Sequence, residues 1–227
     1  MNVTVIQNSA YGRAGLVEKY IAAKGWTYRR TLMPKDVVST DLAHIVDDVV
    51  VFLGSRHGVY ETHIQWVARQ RALMRRLLAN SVPVFGICFG AQLMATALGG
   101  TVAPMGYRCR GWMTNEIAAD SIWQGPWLRW HGDFIALPET VKVFASDRDI
   151  VQAFAQGAAA GVPFHPEVSS DLLLKWAAHS ASMTEPDKSA LDDACGEPRS
   201  WDREARLRSV RSCLRHDHGV NGEGVII

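Results

Sequence analysis

This 227-residue sequence is poor in cysteine, in long apolar runs and in charge of one sign. Its four cysteines include no C-x-x-C pair and are too few for a disulfide scaffold. No stretch approaches the ~20 apolar residues that a membrane span needs, and the N-terminus lacks the basic segment and hydrophobic core of a signal peptide. With 24 Lys and Arg against 23 Asp and Glu, the net charge of +1 gives no electrostatic reason to bind nucleic acid or an anionic membrane. We therefore expect a soluble, cytoplasmic protein that binds neither.

Motifs for cofactors and metals are missing as well. The sequence contains no P-loop and no dinucleotide-binding fingerprint. Cys213, His216 and His218 lie near one another, but their spacing matches no closed four-ligand metal site. The sequence therefore predicts no cofactor and no metal.

Enough apolar material is present for one full core. The hydrophobic content is 48%, and the length divided by ~150 residues per domain predicts one α/β domain with an appendage. Charged residues make up about a third of the chain after residue 180 and about a sixth before it. We therefore predict a domain at 1–180 and a charged tail at 181–227. Apolar residues spaced i, i+3 and i+7 predict one short helix within 201–214 of this tail.

Apolar runs of strand length alternate with helical patterns in the first hundred residues. Strands are predicted at 3–6, 49–53 and 82–87, and helices at 16–23, 62–78 and 91–98. Continuous apolar runs of this length are typical of parallel strands that are buried on both faces. The pattern predicts a doubly wound, mostly parallel sheet with helices on both faces. After about residue 100, four shorter segments predict a small antiparallel extension, at 115–118, 141–145, 151–154 and 158–164.

The most informative segment is 86–92, with the sequence GICFGAQ. Here a buried strand ends, a turn of small residues carries Cys88, and a helix begins. Glycines on both sides permit a sharp turn that presents the side chain above the sheet edge, as in the G-x-S-x-G turn of hydrolases. The helix N-terminus favours a thiolate, and the N–H of Phe89 is placed to stabilise an oxyanion. Without a base elsewhere in the chain, the alternative is a small buried cysteine in a Gly-rich turn.

A candidate base lies in the segment 164–167, with the sequence FHPE. It ends an apolar run, so His165 is expected above the same sheet edge. Pro166 stiffens the turn, which allows Glu167 to reach back to the imidazole. A carboxylate that orients the ring and stabilises the imidazolium is the third member of a catalytic triad. The His-Pro-Glu turn is weak evidence alone, but with the elbow it predicts a Cys-His-Glu triad for acyl transfer.

These two motifs resemble those of the class I, or triad-type, glutamine amidotransferase family, which has a G-x-C-x-G-x-Q elbow and a downstream H-P-E. The similarity extends to Leu53-Gly54-Ser55, where the family has a glycine-rich oxyanion loop after the third strand. It also extends to Trp130-His131-Gly132-Asp133, which is similar to a segment of the members close to the glutaminase domain of GMP synthase. The resemblance covers about residues 1–180 and implies the flavodoxin-like fold of this family.

The resemblance implies a role for each matching residue. It makes Cys88 the nucleophile, His165 the general base and acid, and Glu167 the orienting carboxylate. The oxyanion donors would be the backbone N–H groups of Phe89 and Ser55. Many members have glycine where Ser55 stands, and a backbone donor survives that change unless the site needs a positive φ. Five residues would line the substrate site: Gly54, Gln92 and His131, with Gly111 and Trp112 in a loop.

Three functions are compatible with this resemblance. The first is a glutaminase that hydrolyses L-glutamine and supplies ammonia to a synthetase on another chain. The second is a γ-glutamyl hydrolase or peptidase that needs no ammonia acceptor, which the Gly54-Ser55 pairing mildly favours. The third is an inactive binding module of amidotransferase type, which the intact Cys88, His165 and Glu167 argue against.

Overall fold

Ten strands and six helices form within residues 1–29, 34–39 and 48–179, which are the residues that the computed structural model describes. The strands are β1 (Asn2–Ile6), β2 (Thr27–Arg29), β3 (Val49–Phe52), β4 (Val84–Ile87), β5 (Thr101–Met113), β6 (Ile117–Ala118), β7 (Trp127–Ala136), β8 (Lys142–Asp147), β9 (Ile150–Gln156) and β10 (Ala159–Val162). The helices are α1 (Gly15–Ala23), α2 (Pro34–Ser39), α3 (Gln65–Ala79), α4 (Phe89–Ala97), α5 (Ser121–Gln124) and α6 (Ser170–His179). The predicted tail at 181–227 and its helix lie outside the described residues.

Eight strands form one sheet in the order β2-β1-β3-β4-β10-β9-β8-β6, and its first five strands pair in parallel. Every residue of β3 and β4 is buried. Alternate residues of a strand face opposite sides of a sheet. Val49 and Val51 therefore pack with α1 in one core cluster, whereas Val50 and Phe52 pack with α3 and α4 in another. The predicted doubly wound sheet with helices on both faces is confirmed.

One strand assignment is wrong. The run at 158–164 is expected in the antiparallel extension, but it forms β10 inside the parallel part of the sheet. A tight turn at Gly157, with φ +58°, reverses the chain after β9. Strand β10 therefore runs antiparallel to β9 and parallel to β4, with Gly161 opposite Gly86. The direction of a strand follows from the connection before it, which the apolar run itself does not encode. The antiparallel extension consists of β9, β8 and β6.

The chain also contains a long hairpin that the apolar pattern does not predict. Strands β5 and β7 form a separate two-stranded antiparallel sheet. Arg129 of β7 is only 1% exposed; its guanidinium donates to the carboxylate of Asp147 in β8 and, at 2.8 Å, to Oδ1 of Asn115. A buried arginine needs such partners, because an unpaired buried charge is very costly. This contact fixes the hairpin against the antiparallel end of the main sheet.

The carboxyl ends of β1, β3, β4 and β10 meet at one edge of the sheet, which is where open α/β sheets carry their sites. The residues that follow these strands include Asn8, Gly54, Cys88 and His165. Helix α6 closes the described domain beside this edge, where Leu172 packs in a small apolar cluster with the hairpin. Among the described residues, no helix has the length and apolar character that crossing a bilayer requires.

Candidate active site

Cys88 lies in the predicted turn between a strand and a helix, directly after β4 and before α4. Its φ of 51° and ψ of −107° lie outside the regions that residues with a Cβ readily adopt. The turn is tight: a Cβ on Gly86 would lie 2.6 Å from backbone atoms of Gly90, and one on Gly90 would lie 2.3 Å from the carbonyl oxygen of Phe52. Only glycine fits at these two positions, so the sequence forces Cys88 into a strained conformation at the sheet edge.

His165 and Glu167 form a buried pair at the end of β10. The imidazole Nδ1 lies 2.8 Å from Oε1 of Glu167, and the two residues are 4% and 2% exposed. The carboxylate accepts, so Nδ1–H donates and Nε2 is left for proton exchange. Nε2 is buried, and Cys88 is near enough for a hydrogen bond with the ring to contribute to raising the imidazole pKa. The backbone N–H of His165 donates to the carbonyl of Leu128 in β7, at 2.8 Å, which fixes the residue from the other side.

Opposing effects act on the protonation of His165. Burial lowers its pKa, whereas the negative charges of Glu167 and of a Cys88 thiolate raise it, and the result is a pKa of about 10, against an ordinary 6.5. The ring is therefore an imidazolium at neutral pH. This is the state that can give a proton to a leaving group.

Gly54 lies beside both the sulfur of Cys88 and the imidazole of His165. A Cβ at this position would lie 3.2 Å from Cε1 of His165, 3.5 Å from Cβ of Cys88 and 3.9 Å from its Sγ. The two side chains therefore approach the same point from β4 and β10, with the loop after β3 beside them. A side chain at Gly54 would press against the ring, whose place is already fixed by Glu167.

Of the two expected oxyanion donors, one follows Cys88 in the chain and the other follows Gly54, which lies beside Cys88. Phe89 is the first residue of α4, where backbone N–H groups have no partner within the helix. Ser55 follows Gly54 and does not adopt a positive φ, so serine causes no backbone strain there. Its hydroxyl accepts from the N–H of His57 at 3.0 Å and so braces the loop.

The expected substrate residues divide into two groups. Gln92 is 3% exposed and lies one turn into α4, where its N–H donates to the carbonyl of Cys88 at 3.0 Å. Gly111 and Trp112, expected in a loop, lie instead within β5, paired with Arg129 and Leu128 of β7. The buried anchoring of Arg129 extends the hairpin through this segment, and Trp112 packs against the apolar cluster beneath α6.

His131 lies inside β7. It is 6% exposed, and its Nδ1 is 3.0 Å from the carbonyl oxygen of Asp133, which can only accept. The proton is therefore on Nδ1, and Nε2 carries a lone pair. Burial lowers the pKa of His131 to about 4, with the hydrogen bond to Asp133 opposing the shift and the nearby His165 reinforcing it. His131 is a neutral acceptor beside a charged histidine.

Two contacts around the site carry no sequence signal. Trp176 of α6 packs edge-on against His165, with ring centroids 4.9 Å apart, and its Nε1 donates to the carbonyl of Tyr11 at 2.8 Å. Tyr60, in the loop after β3, places its hydroxyl 3.4 Å from Oδ1 of Asp133 on the hairpin. Both depend on elements that pack together only in the folded chain. Trp176 covers the imidazole, and Tyr60 links the loop after β3 to the hairpin.

The arrangement supplies a cysteine sulfur on a strained backbone, a buried imidazole held by a carboxylate, and a helix N-terminus beside the sulfur. These are the parts that acyl transfer through a covalent intermediate requires. The described residues contain no group of three or more His, Cys, Asp or Glu side chains placed to hold a metal ion.

Comparison with known proteins gives a consistent result. Residues 31–173 match the family described as "Glutamine amidotransferase class-I". The chain is 32% identical over 199 residues to glutamine-hydrolyzing GMP synthase of Thermomicrobium roseum. The matched region covers 82% of this chain and 35% of that protein. It is 31% identical over 186 residues to the enzyme of the same name from Leifsonia xyli, with coverages of 75% and 34%. The chain thus spans about a third of the length of these relatives.

Solved structures agree on the fold. A glutamine amidotransferase from Thermotoga maritima superposes with a TM-score of 0.71 at 24% identity, covering 94% of each chain. One from Methylobacillus flagellatus gives a TM-score of 0.77 at 19% identity, covering 98% of this chain and 99% of the other. With a family match over most of its length and the family's two motifs at one sheet edge, this chain belongs to the class I glutamine amidotransferases.

Proposed function

We propose that this protein is a glutaminase that hydrolyses the side-chain amide of L-glutamine through a γ-glutamyl thioester on Cys88. The observation that carries the proposal is the strained Cys88 beside the buried His165–Glu167 pair. Membership in the amidotransferase family supports glutamine as the substrate, as do relatives named as glutamine-hydrolyzing.

In the proposed first step, the thiolate of Cys88 attacks the side-chain carbonyl carbon of glutamine. The carbonyl oxygen becomes an oxyanion, which the N–H groups of Phe89 and Ser55 stabilise. His165 gives its Nε2 proton to the amide nitrogen, the C–N bond breaks, and ammonia leaves. Glu167 keeps the ring oriented and stabilises its charge during this transfer.

In the proposed second step, a water molecule attacks the thioester and gives a proton to His165. The C–S bond then breaks, glutamate leaves, and the thiolate of Cys88 is restored. Gly54, Gln92 and His131 would contact the glutamyl part of the substrate, and Gly111 and Trp112 would lie at its outer side. His131 suits a donor on the substrate, because its Nε2 carries a lone pair.

We further propose that the ammonia goes to a separate synthetase. The names of the curated relatives combine glutamine hydrolysis with the synthesis of GMP, and this chain matches about a third of their length. The remaining two thirds of such proteins indicate the kind of unit that would receive the ammonia.

Glutamate release from glutamine tests the proposal directly. We expect the wild-type protein to release glutamate and Cys88→Ala to release none above background, because the thioester cannot form. Cys109→Ala is the matched control, since Cys109 lies in the hairpin, is partly exposed, and should keep wild-type turnover.

The same assay separates the alternatives. Turnover of γ-glutamyl peptides without turnover of glutamine would favour a peptidase, and full activity of Cys88→Ala would refute the mechanism. A rate that rises when a GMP-forming synthetase unit is added would support ammonia transfer; an unchanged rate would argue against this partner.

A further inference from the structure

A chain of buried amides connects α3 to the loop that carries the proposed oxyanion donor. Asn8 follows β1 and is 8% exposed, and Gln70 lies in α3 and is fully buried. Nε2 of Gln70 donates to Oδ1 of Asn8 at 2.6 Å. Nδ2 of Asn8 donates to the carbonyl oxygens of Leu53 at 3.0 Å and Gly54 at 3.3 Å. Neither amide belongs to the motifs that identify the family in this sequence.

The orientation of both amides is fixed by chemistry. Backbone carbonyls only accept hydrogen bonds, so the NH₂ group of Asn8 must face Leu53 and Gly54, and its oxygen must face Gln70. That oxygen requires a donor, so Gln70 turns its own NH₂ group toward it. Oε1 of Gln70 is thereby left buried without a hydrogen bond to a described residue. Burying an unpaired acceptor costs free energy. The hydrogen bond between Gln70 and Asn8 therefore forms despite the cost of the buried Oε1.

The hydrogen bond to the carbonyl of Gly54 also determines the direction of the Ser55 N–H. The carbonyl of Gly54 and the N–H of Ser55 belong to one planar peptide group, in which they point in opposite directions when the bond is trans. Asn8 draws the oxygen to its own side, so the N–H of Ser55 points to the other. Gly54 itself lies against Cys88 and His165. The N–H of Ser55 makes no hydrogen bond to a described residue, so it is free to bind an oxyanion.

We infer that Asn8 and Gln70 are positioning residues that orient the Gly54–Ser55 peptide so that the N–H of Ser55 serves as an oxyanion donor. This inference rests on the proposed function, because it gives the Ser55 N–H a role in stabilising the tetrahedral intermediate. Neither side chain touches the substrate. Their effect is electrostatic preorganisation, in which a donor is already aimed at the place where charge develops.

The test is Asn8→Asp, which keeps the shape of the side chain and replaces the NH₂ group that faces the two carbonyls with an oxygen. We expect kcat to fall by about 10²-fold, the typical effect of losing one oxyanion donor, while the KM for glutamine stays within about threefold. The affinity for glutamate γ-semialdehyde, whose thiohemiacetal oxygen occupies the oxyanion position, should fall by a similar factor to kcat. The rate of Cys88 alkylation by iodoacetamide should stay within about twofold, since this reaction forms no oxyanion.

Two further variants complete the experiment, a control for Asn8→Asp and a second variant whose expected effect is smaller. Asn115→Asp makes the same change at another buried amide that donates to a carbonyl, that of Trp123 at 2.6 Å, and should leave kcat within about threefold. Gln70→Met removes the donor behind Asn8 with little change in shape, and should lower kcat by about tenfold without changing alkylation. It also provides the test if Asn8→Asp does not fold.

The inference is overturned if folded Asn8→Asp or Gln70→Met keeps wild-type kcat and aldehyde affinity. It is equally overturned if alkylation falls as much as kcat, because the variant would then have damaged the nucleophile. Full activity of Cys88→Ala would instead refute the proposed function. The two failures are therefore distinguishable.

Discussion

Cys88 has a φ of 51°, a conformation that costs a non-glycine residue on the order of 1–3 kcal/mol and persists only where the surroundings enforce it. The surroundings are Gly86 and Gly90, whose missing side chains let β4 and α4 meet closely. The sequence predicts this turn because the residues that form it are neighbours in the chain. It does not predict Trp176 beside His165, since that contact requires α6 to pack against the sheet edge.

Glu167 holds the charge on His165, and its removal is the sharpest test at the residue scale. In Glu167→Gln, the pKa of His165 should fall well below its value of about 10, because burial then acts with less opposition. We expect kcat/KM to decrease by roughly 10²- to 10⁴-fold, as when the orienting carboxylate of a triad becomes an amide. NMR titration of the ring and steady-state kinetics measure the two effects.

The raised pKa of His165 also determines how the free energy of unfolding changes with pH. A folded-state pKa above 6.5 means that His165 stabilises the fold fully below about pH 6.5, and that this contribution is lost as the pH rises toward 10. In Glu167→Gln, where the pKa of His165 is lower, this stabilising contribution should be lost at a lower pH. Glu116→Gln, which removes an exposed carboxylate far along the chain, is the control and should change neither titration nor turnover. An unchanged His165 titration in Glu167→Gln would contradict the account.

At the scale of elements, local patterns predict where the buried strands lie. The direction of β10 and the position of the hairpin depend on contacts between residues far apart in the sequence. The apolar runs at β3 and β4 identify parallel strands because both faces are covered. The run at β10 is equally apolar, but its direction depends on the turn at Gly157. The hairpin of β5 and β7 has no such run, and its position depends on long-range contacts such as the ion pair of the buried Arg129 with Asp147 and the apolar cluster with α6.

Asp147→Asn tests how much this ion pair stabilises the hairpin. Arg129 would keep its charge and its buried position with only neutral hydrogen-bond partners among the described residues, which are Asn115, the carbonyl of Thr114 and the sulfur of Met113, so we expect the free energy of unfolding to fall by about 3 kcal/mol. Denaturant unfolding measures the change. Arg148→Gln breaks an exposed pair with Glu116 and should change it by less than about 1 kcal/mol. Equal effects of the two variants would show that burial of Arg129 does not matter.

At the scale of the whole molecule, four strands bring their carboxyl ends to one edge, and residues far apart in the sequence meet there. Cys88 and His165 each have a local motif, so the fold class and the proximity of Cys88, His165 and Glu167 can be predicted before the chain is folded. The Asn8–Gln70 pair, the hairpin contacts of Trp112 and the setting of His131 inside β7 depend on tertiary packing. No local spacing encodes these contacts.

The most direct test of the account is the covalent state of Cys88 during turnover. The protein is mixed with glutamine, quenched in acid within a single turnover, and digested for mass spectrometry. We predict a peptide containing Cys88 whose mass is increased by one glutamyl group, formed with ammonia release and lost as glutamate appears. Glutamate formation with Cys88 unmodified throughout, or with the glutamyl group on another residue, would contradict it.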